Sequence, residues 1–376
     1  MDLSSSSLTR NPSAYQTAQA ASSAAITSGA VSLRLIQSLV LLAAFEVGHA
    51  LYPAAYLTVG TAARLATIIG LRSTKYSTQP WSAALESWRL REEKRRLWWA
   101  IFLLDRIINI GNPELQFVIP DPTSNDMLPT SDVDWDEGHM GPNEAFLSTQ
   151  RHLVPVKGSF AKAVQAAYML GKVLRHIDPE HQHELGGGDL LDEAIQINKV
   201  LVAMNRCFED SLHHETTQKR MSWNCKLNAM SLCATARSLL YSHYAAREPI
   251  AQEDALLTIE LYRDVTEGLD QLLSSTVPIL IDMNRQSLAE AGKPTSLARQ
   301  EVTSVSPLSA HFLYQTIKLL AWRVRERHDA HLHQQLREAI RVMHAMGEIW
   351  IVGESYTRLL KQGKVLEQVG WSDERA

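Results

Sequence analysis

Residues 89–108 read RLREEKRRLWWAIFLLDRII. Within this stretch Leu97, Ile101, Leu104 and Ile108 recur at helical spacing and form one apolar stripe. Trp98, Trp99 and Phe102 widen the stripe until the second half is apolar on nearly every side. The first half is charged: Arg89, Arg91, Lys94, Arg95 and Arg96 are interrupted by Glu92 and Glu93, and Glu92 precedes Arg96 at the favourable i,i+4 spacing. A helix divided in this way buries its second half from several directions. The basic run is expected to be a solvated face, because it carries two glutamates and no aromatic platform for stacking bases.

Helical periodicity extends outward from this segment in both directions. From Pro53 to Gly70 a proline stands in the first turn, where its missing N–H costs nothing, and a glycine stands at the stop. Between them Ala55, Val59, Ala62, Ala66 and Ile69 line one face, and the small alanines allow a neighbour to approach closely. Comparable helices are expected over 31–51, 53–69, 83–109, 159–176, 189–214, 218–246, 251–273, 304–327 and 329–347, with almost no strand pattern. Two stretches break the period. Residues 111–142 hold five prolines and read as a long ordered loop anchored by Leu115, Phe117, Val118, Leu128 and Trp135. Residues 274–303, with Pro278 and Pro294, show little periodicity. The expected fold is all-α: a single large multi-helix domain of about nine or ten helices, with hairpins resembling a solenoid, over residues 14–376, behind a disordered polar tail at 1–13.

Composition narrows the function. The chain has 376 residues, 45% apolar and 21% charged, enough to bury a sizeable core. A formal charge of -4 supplies no global basic field of the kind a nucleic-acid binder carries. The most apolar early stretch, Leu35 to Phe45, is too short to cross a bilayer core, which needs about 20 residues. No membrane partner is expected, and three cysteines, Cys207, Cys225 and Cys233, suit a reducing compartment, the cytosol or nucleus.

Catalytic signatures are scarce. Gly186, Gly187 and Gly188 lack the Lys-Ser/Thr of a phosphate loop, and no Gly-x-Ser-x-Gly elbow occurs. Each cysteine reads as a buried structural thiol. Histidines gather at His181, His183 and Glu184, at His213, His214 and Glu215, and at His328, His331 and His333, without the His-Glu-x-x-His spacing that sets two imidazoles on one helix face. Asp105, inside the apolar half of its helix, admits two readings. One is a general acid or base with a perturbed pKa. The other, favoured here, is a salt bridge locking two helices, with Arg64 as the expected partner. No catalytic, cofactor-binding or metal residue is assigned, and no cofactor is expected.

Four stretches also carry a resemblance: Ile36 to Ala43; Gly60 to Arg72; Glu93 to Trp99 with Leu104-Asp105-Arg106; and Leu128-Pro129 with Asp132 and Trp135. In this order they resemble the fungal-specific transcription factor domain, the helical middle homology region of the zinc-binuclear-cluster regulators, most strongly over 31–138. The resemblance implies a nuclear regulator of transcription, of a metabolic pathway or secondary-metabolite gene cluster, with no catalytic residues and with Arg96, Trp98, Trp99, Asp105 and Arg106 structural. Its implied partners are other transcription regulators or the transcription machinery, a small-molecule effector and a second copy in a dimer. The family's zinc cluster needs six closely spaced cysteines, which the three here do not supply, so DNA contact is expected only indirectly. A fragment, a truncated gene model and a stand-alone regulator stay open. The alternative function is a small-molecule carrier or enzyme on an all-α scaffold, and a third is a partner that sequesters full-length relatives.

Overall fold

A computed structural model describes residues 12–72, 87–112, 115–147, 156–184, 187–214, 220–245, 255–291, 305–327 and 329–367. The expected tail at 1–13 lies outside the described residues except for its last two, which open a helix. The described residues form fourteen α-helices and no strand beyond one isolated bridge, so the chain is all-α. They fall into two compact units, Met1–Tyr168 and Met169–Ala376.

In the first unit the order is α1 (Pro12–Thr27), α2 (Leu33–Gly48), α3 (Tyr52–Ile68), α4 (Trp88–Ile108), the single-turn α5 (Asp132–Glu137) and the start of α6 (Ser159–His176). Helix α2 packs on α3 and α4, and α3 packs on α4. The stripe of α3 is buried as its spacing requires: Ala55, Val59, Ala62 and Ala66 are at most 2% exposed. Ser32 and Ser87 cap α2 and α4 by accepting the amides of Leu35 and Leu90. Pro53 stands in the first turn of α3, and Gly70 follows its end at φ 66°, the left-handed region that glycine enters freely.

Helix α1 is rich in alanine and serine and mostly exposed, and it is held to α2 through Tyr15. The Tyr15 ring stacks on Phe45 at 5.5 Å, and its hydroxyl donates to Glu46 at 3.0 Å. Glu46 is fully buried, and burial pushes its carboxyl above the usual range despite hydrogen bonds from Thr58 and Tyr15. A raised folded value means the native state holds the proton more tightly than the unfolded chain. The contribution to stability is complete below the unfolded value near ~4.3 and is lost as pH rises through the folded one. Glu46→Gln, which mimics the protonated form, is therefore expected to match the wild type at pH 4 and to exceed its Tm at pH 8. Thermal unfolding across that range measures the gap.

The second unit takes up the rest of α6 and continues through α7 (Pro179–Glu184), α8 (Gly187–His214), α9 (Arg220–Ala245), α10 (Ala255–Gln271), α11 (Val277–Ala291), α12 (Ala310–Arg327), α13 (Ala330–Gly347) and α14 (Ile351–Gln362). Helices α8 and α9, α9 and α10, α12 and α13, and α13 and α14 pair in sequence, but α9 also packs against α11 and α12. The unit is thus a bundle around α9, with contacts beyond the nearest neighbours that define a solenoid.

The nine periodic segments all became helices. Five further helices lacked a readable period: α1 has no large apolar stripe, α5 and α7 are single turns, Gly353 interrupts α14, and Pro278 obscures α11. Residues 274–291, expected to be irregular, are helical. A proline has no N–H and its ring collides with the carbonyl four residues back. The chain accommodates Pro278 by widening the turn Leu272–Thr276 to a π-helix, with the Val277 amide reaching the Leu272 carbonyl.

Candidate functional site

Arg72, Arg96, Trp99, Asp105, Arg106, Asp132 and Trp135, all from the family-like stretches, converge on one feature of the first unit, the seam between α4 and the loop that follows it. The charged half of α4 does not form a wholly solvated face as the sequence suggested. Arg89 and Arg91 are exposed, but Glu92 is fully buried and Arg95 is 8% exposed. Glu92 is ion-paired to Arg95 and to Arg96, whose Nε lies 3.2 Å from Oε1. It also accepts the Thr130 amide at 2.9 Å and the Asn143 side-chain amide at 3.1 Å. Arg96 then reaches across the seam, donating to the Thr130 carbonyl at 3.0 Å and to Asp132 at 3.2 Å, with Trp135 against its guanidinium at 5.0 Å. The favourable Glu92–Arg96 pair is therefore present, but it serves to hold the loop.

Trp99 marks the middle of the seam. It is 2% exposed, stacks on Phe146 at 5.4 Å and donates its indole N–H to the Met127 carbonyl at 2.9 Å. At the far end Asp105, 1% exposed, accepts the backbone amides of Val118 and Ile119 at 3.1 and 3.2 Å and pairs with Arg106. Fully buried Arg106 lies between the rings of Phe102 and Phe117, at 4.2 and 4.1 Å, and donates to the Ile119 carbonyl and to Asp121. Burial pushes the Asp105 carboxyl up, against the pull of Arg106 and the two amides. Arg72 fastens the loop from α3's end through two 2.8 Å bonds to Asp126. Burial alone would raise the Asp126 carboxyl, but Arg72 and Thr123 hold it below the usual range.

The expected Arg64 partner is corrected by this geometry. Arg64 is exposed on α3, and Asp105 is satisfied by its own neighbour and by the loop backbone. A double-mutant cycle between Arg64 and Asp105 is expected to give a coupling within about 0.5 kcal/mol of zero, read from urea midpoints. The loop's expected anchors divide: Leu128 is fully buried, whereas Leu115, Phe117, Val118 and Trp135 are half-buried. Ile119 and Phe146, which no periodicity marks, are the other deep anchors. The seam is a clamp. Its charges face one another and the loop backbone, which suits holding a shape.

In the second unit, the histidines gather differently from their sequence groups. Fully buried His176, which stood in no group, lies 2.7 Å from Glu193 through Nδ1 and 2.7 Å from the Tyr244 hydroxyl through Nε2. His181 joins the same carboxylate at 3.3 Å, whereas His183 is exposed. Burial would raise the Glu193 carboxyl, but His176 and His181 hold it low. The side chains of His213, His214 and Glu215, and His328 entirely, lie outside the described residues. No cluster of three His, Cys, Asp or Glu that could hold a metal occurs among the described residues. Cys233 is a buried thiol as expected, pushed up to about 12 by burial, but Cys207 is exposed. No helix among the described residues is long and apolar enough to cross a membrane.

Against known proteins, residues 2–178 match the model of the fungal specific transcription factor domain. The chain is similar to transcription factor BOA15 of Botryotinia fuckeliana (strain B05.10), 41% identical over 66 residues. That match covers 18% of this chain and spans only 36% of the relative's length. No solved structure matches. All the clamp's residues, from Arg72 to Phe146, fall inside the segment that matches this family model.

Proposed function

We propose that the protein regulates transcription through contacts made by its helical domain. The observation that carries this reading is the match over residues 2–178, whose buried charges pair with one another and with the loop backbone. A transcription factor relative supports it. The reading extends to a nuclear protein that controls a metabolic or secondary-metabolite gene cluster and that meets DNA through a partner regulator. Partner contact is favoured over direct DNA contact because the basic run of α4 turns inward at Glu92 and Arg95.

A tethering assay tests it. The chain is fused to a heterologous DNA-binding domain, and a reporter under that domain's operator is read. A change in reporter output, up or down, over the DNA-binding domain alone is expected. Unchanged output at equal nuclear abundance would refute a regulatory surface.

A further inference from the structure

Large apolar side chains exposed to solvent are thinly scattered over this chain except on its early helices. Of ten such side chains among the described residues, five lie in the short span from Ile26 to Ile68. Single exposed leucines are ordinary on any surface, but a gathering of them marks a place for a partner. On α3, Leu57 and Ile68 are each 69% exposed. With the partly covered Thr61 and the exposed Arg64 they recur at spacings of four, three and four, which sets them along one line of the helix. That line runs on the far side from the buried Ala55, Val59, Ala62 and Ala66. Helix α2 repeats the composition with Arg34, Ser38 and Leu41, the last 72% exposed, at spacings of four and three.

The surface charge of these helices has one sign. Residues 12–72 hold four charged side chains, Arg34, Glu46, Arg64 and Arg72. Glu46 is fully buried and Arg72 is paired with Asp126, so the exposed charges are Arg34 and Arg64. Neither guanidinium has a hydrogen bond or ion pair with a described residue. An arginine inside an apolar line sets the chemistry of what covers it. A purely apolar partner would strip its water and return no counter-charge, whereas a carboxylate at the matching position supplies two oxygens to the guanidinium fork.

The shape of the partner follows from the line. Leu57 and Ile68 stand three turns apart, about 16 Å along α3. The amides and carbonyls of α3 are spent within the helix, so an extended strand finds no ladder there, and a helix laid alongside keeps its own backbone bonds. Nucleic acid offers phosphate to Arg64 but no counterpart for two aliphatic side chains. A bilayer surface calls for aromatic anchors and several cations, and this line has no aromatic and one cation. A second copy is a poor fit as well. The exposed segment of the first unit that joins acid to apolar groups, Val133 to Met140 with Asp136 and Glu137, contains only the single turn of α5. We propose that the Leu57–Thr61–Arg64–Ile68 line is a docking surface for an acidic amphipathic helix of a partner protein. Its apolar side chains rest on Leu57 and Ile68, and a carboxylate pairs with Arg64. This surface supplies a partner class for the regulatory contacts proposed above, and its assignment rests on that reading. Binding to the purified chain and output of the tethered reporter are separate measurements, so one can fail without the other.

The test is fluorescence anisotropy of the full chain with a labelled helical peptide of about 18 residues, carrying leucines at spacings of four, three and four between flanking glutamates. A second peptide has lysine at every glutamate. The glutamate peptide is expected to bind the wild type with a Kd below about 100 μM, and the lysine peptide at least about tenfold more weakly. Leu57→Glu with Ile68→Glu is expected to weaken the glutamate peptide at least about tenfold. The same pair is expected to leave Tm within about 2 °C of the wild type, since both side chains are already solvated. Arg64→Glu is expected to invert the preference, taking the lysine peptide over the glutamate one. The proposal is overturned if the glutamate peptide does not bind, if the sign of the peptide's charge makes no difference, or if the double variant binds as the wild type does. It is overturned equally if the double substitution instead abolishes self-association of the chain or its capture by phosphatidylserine vesicles, which would assign the face to a second copy or to a membrane.

Discussion

Asp105→Ala is expected to destabilise the first unit by about 3–5 kcal/mol, the usual cost of removing one member of a buried ion pair. The substitution orphans three groups together. The Val118 and Ile119 amides lose the oxygens that accept them, and Arg106 keeps only Asp121, which is 31% exposed, as its counter-charge. Each unsatisfied buried donor costs about 1–3 kcal/mol, so the amides alone account for much of the loss. Replacing the pair together, as Asp105→Leu with Arg106→Met, is expected to cost less than the sum of the two single changes, because it leaves no uncompensated charge. Urea unfolding followed by tryptophan fluorescence reads these variants, since Trp98 and Trp99 lie on the same helix. A D105A midpoint equal to the wild type's would remove the clamp from the account.

In the second unit, Gly353→Ala is expected to lower stability by about 1–3 kcal/mol. Two effects compete. Within a helix, alanine is favoured over glycine by about 1 kcal/mol. Against that, a Cβ at residue 353 would meet the Gly347 amide nitrogen at 2.7 Å and the Met343 carbonyl oxygen at 3.0 Å. These are backbone atoms of α13, which cannot rotate aside as a side chain would, so the clash prevails. Gly188, near the start of α8, has nothing within 4 Å of such a Cβ and provides the control. Gly188→Ala is expected to stay within about 0.5 kcal/mol of the wild type. Thermal unfolding of the two variants side by side distinguishes close approach from helix propensity.

Much of this fold was legible because apolar spacing is a local signal. Helix α6 was expected over 159–176 and spans the same residues, and α3 and α13 lie within one residue of their expected ends. Partners were harder to read. Asp105 was recognised as buried, but its oxygens are met by Val118 and Ile119 on the loop, and no periodicity of α4 encodes what a loop will fold against. Arg96 could be paired with Glu92 from spacing alone, whereas its bonds to Thr130 and Asp132 needed the fold. His176 was overlooked because it stands alone in sequence, and Glu193 and Tyr244 reach it from other helices.

The central claim is that this chain acts at promoters through protein contacts. Crosslinking and sequencing of the tagged chain, expressed from its natural locus, tests it most directly. Discrete promoter peaks that disappear on deletion of a DNA-binding partner are the expected result. A genome-wide profile no different from that of an untagged control would contradict the account.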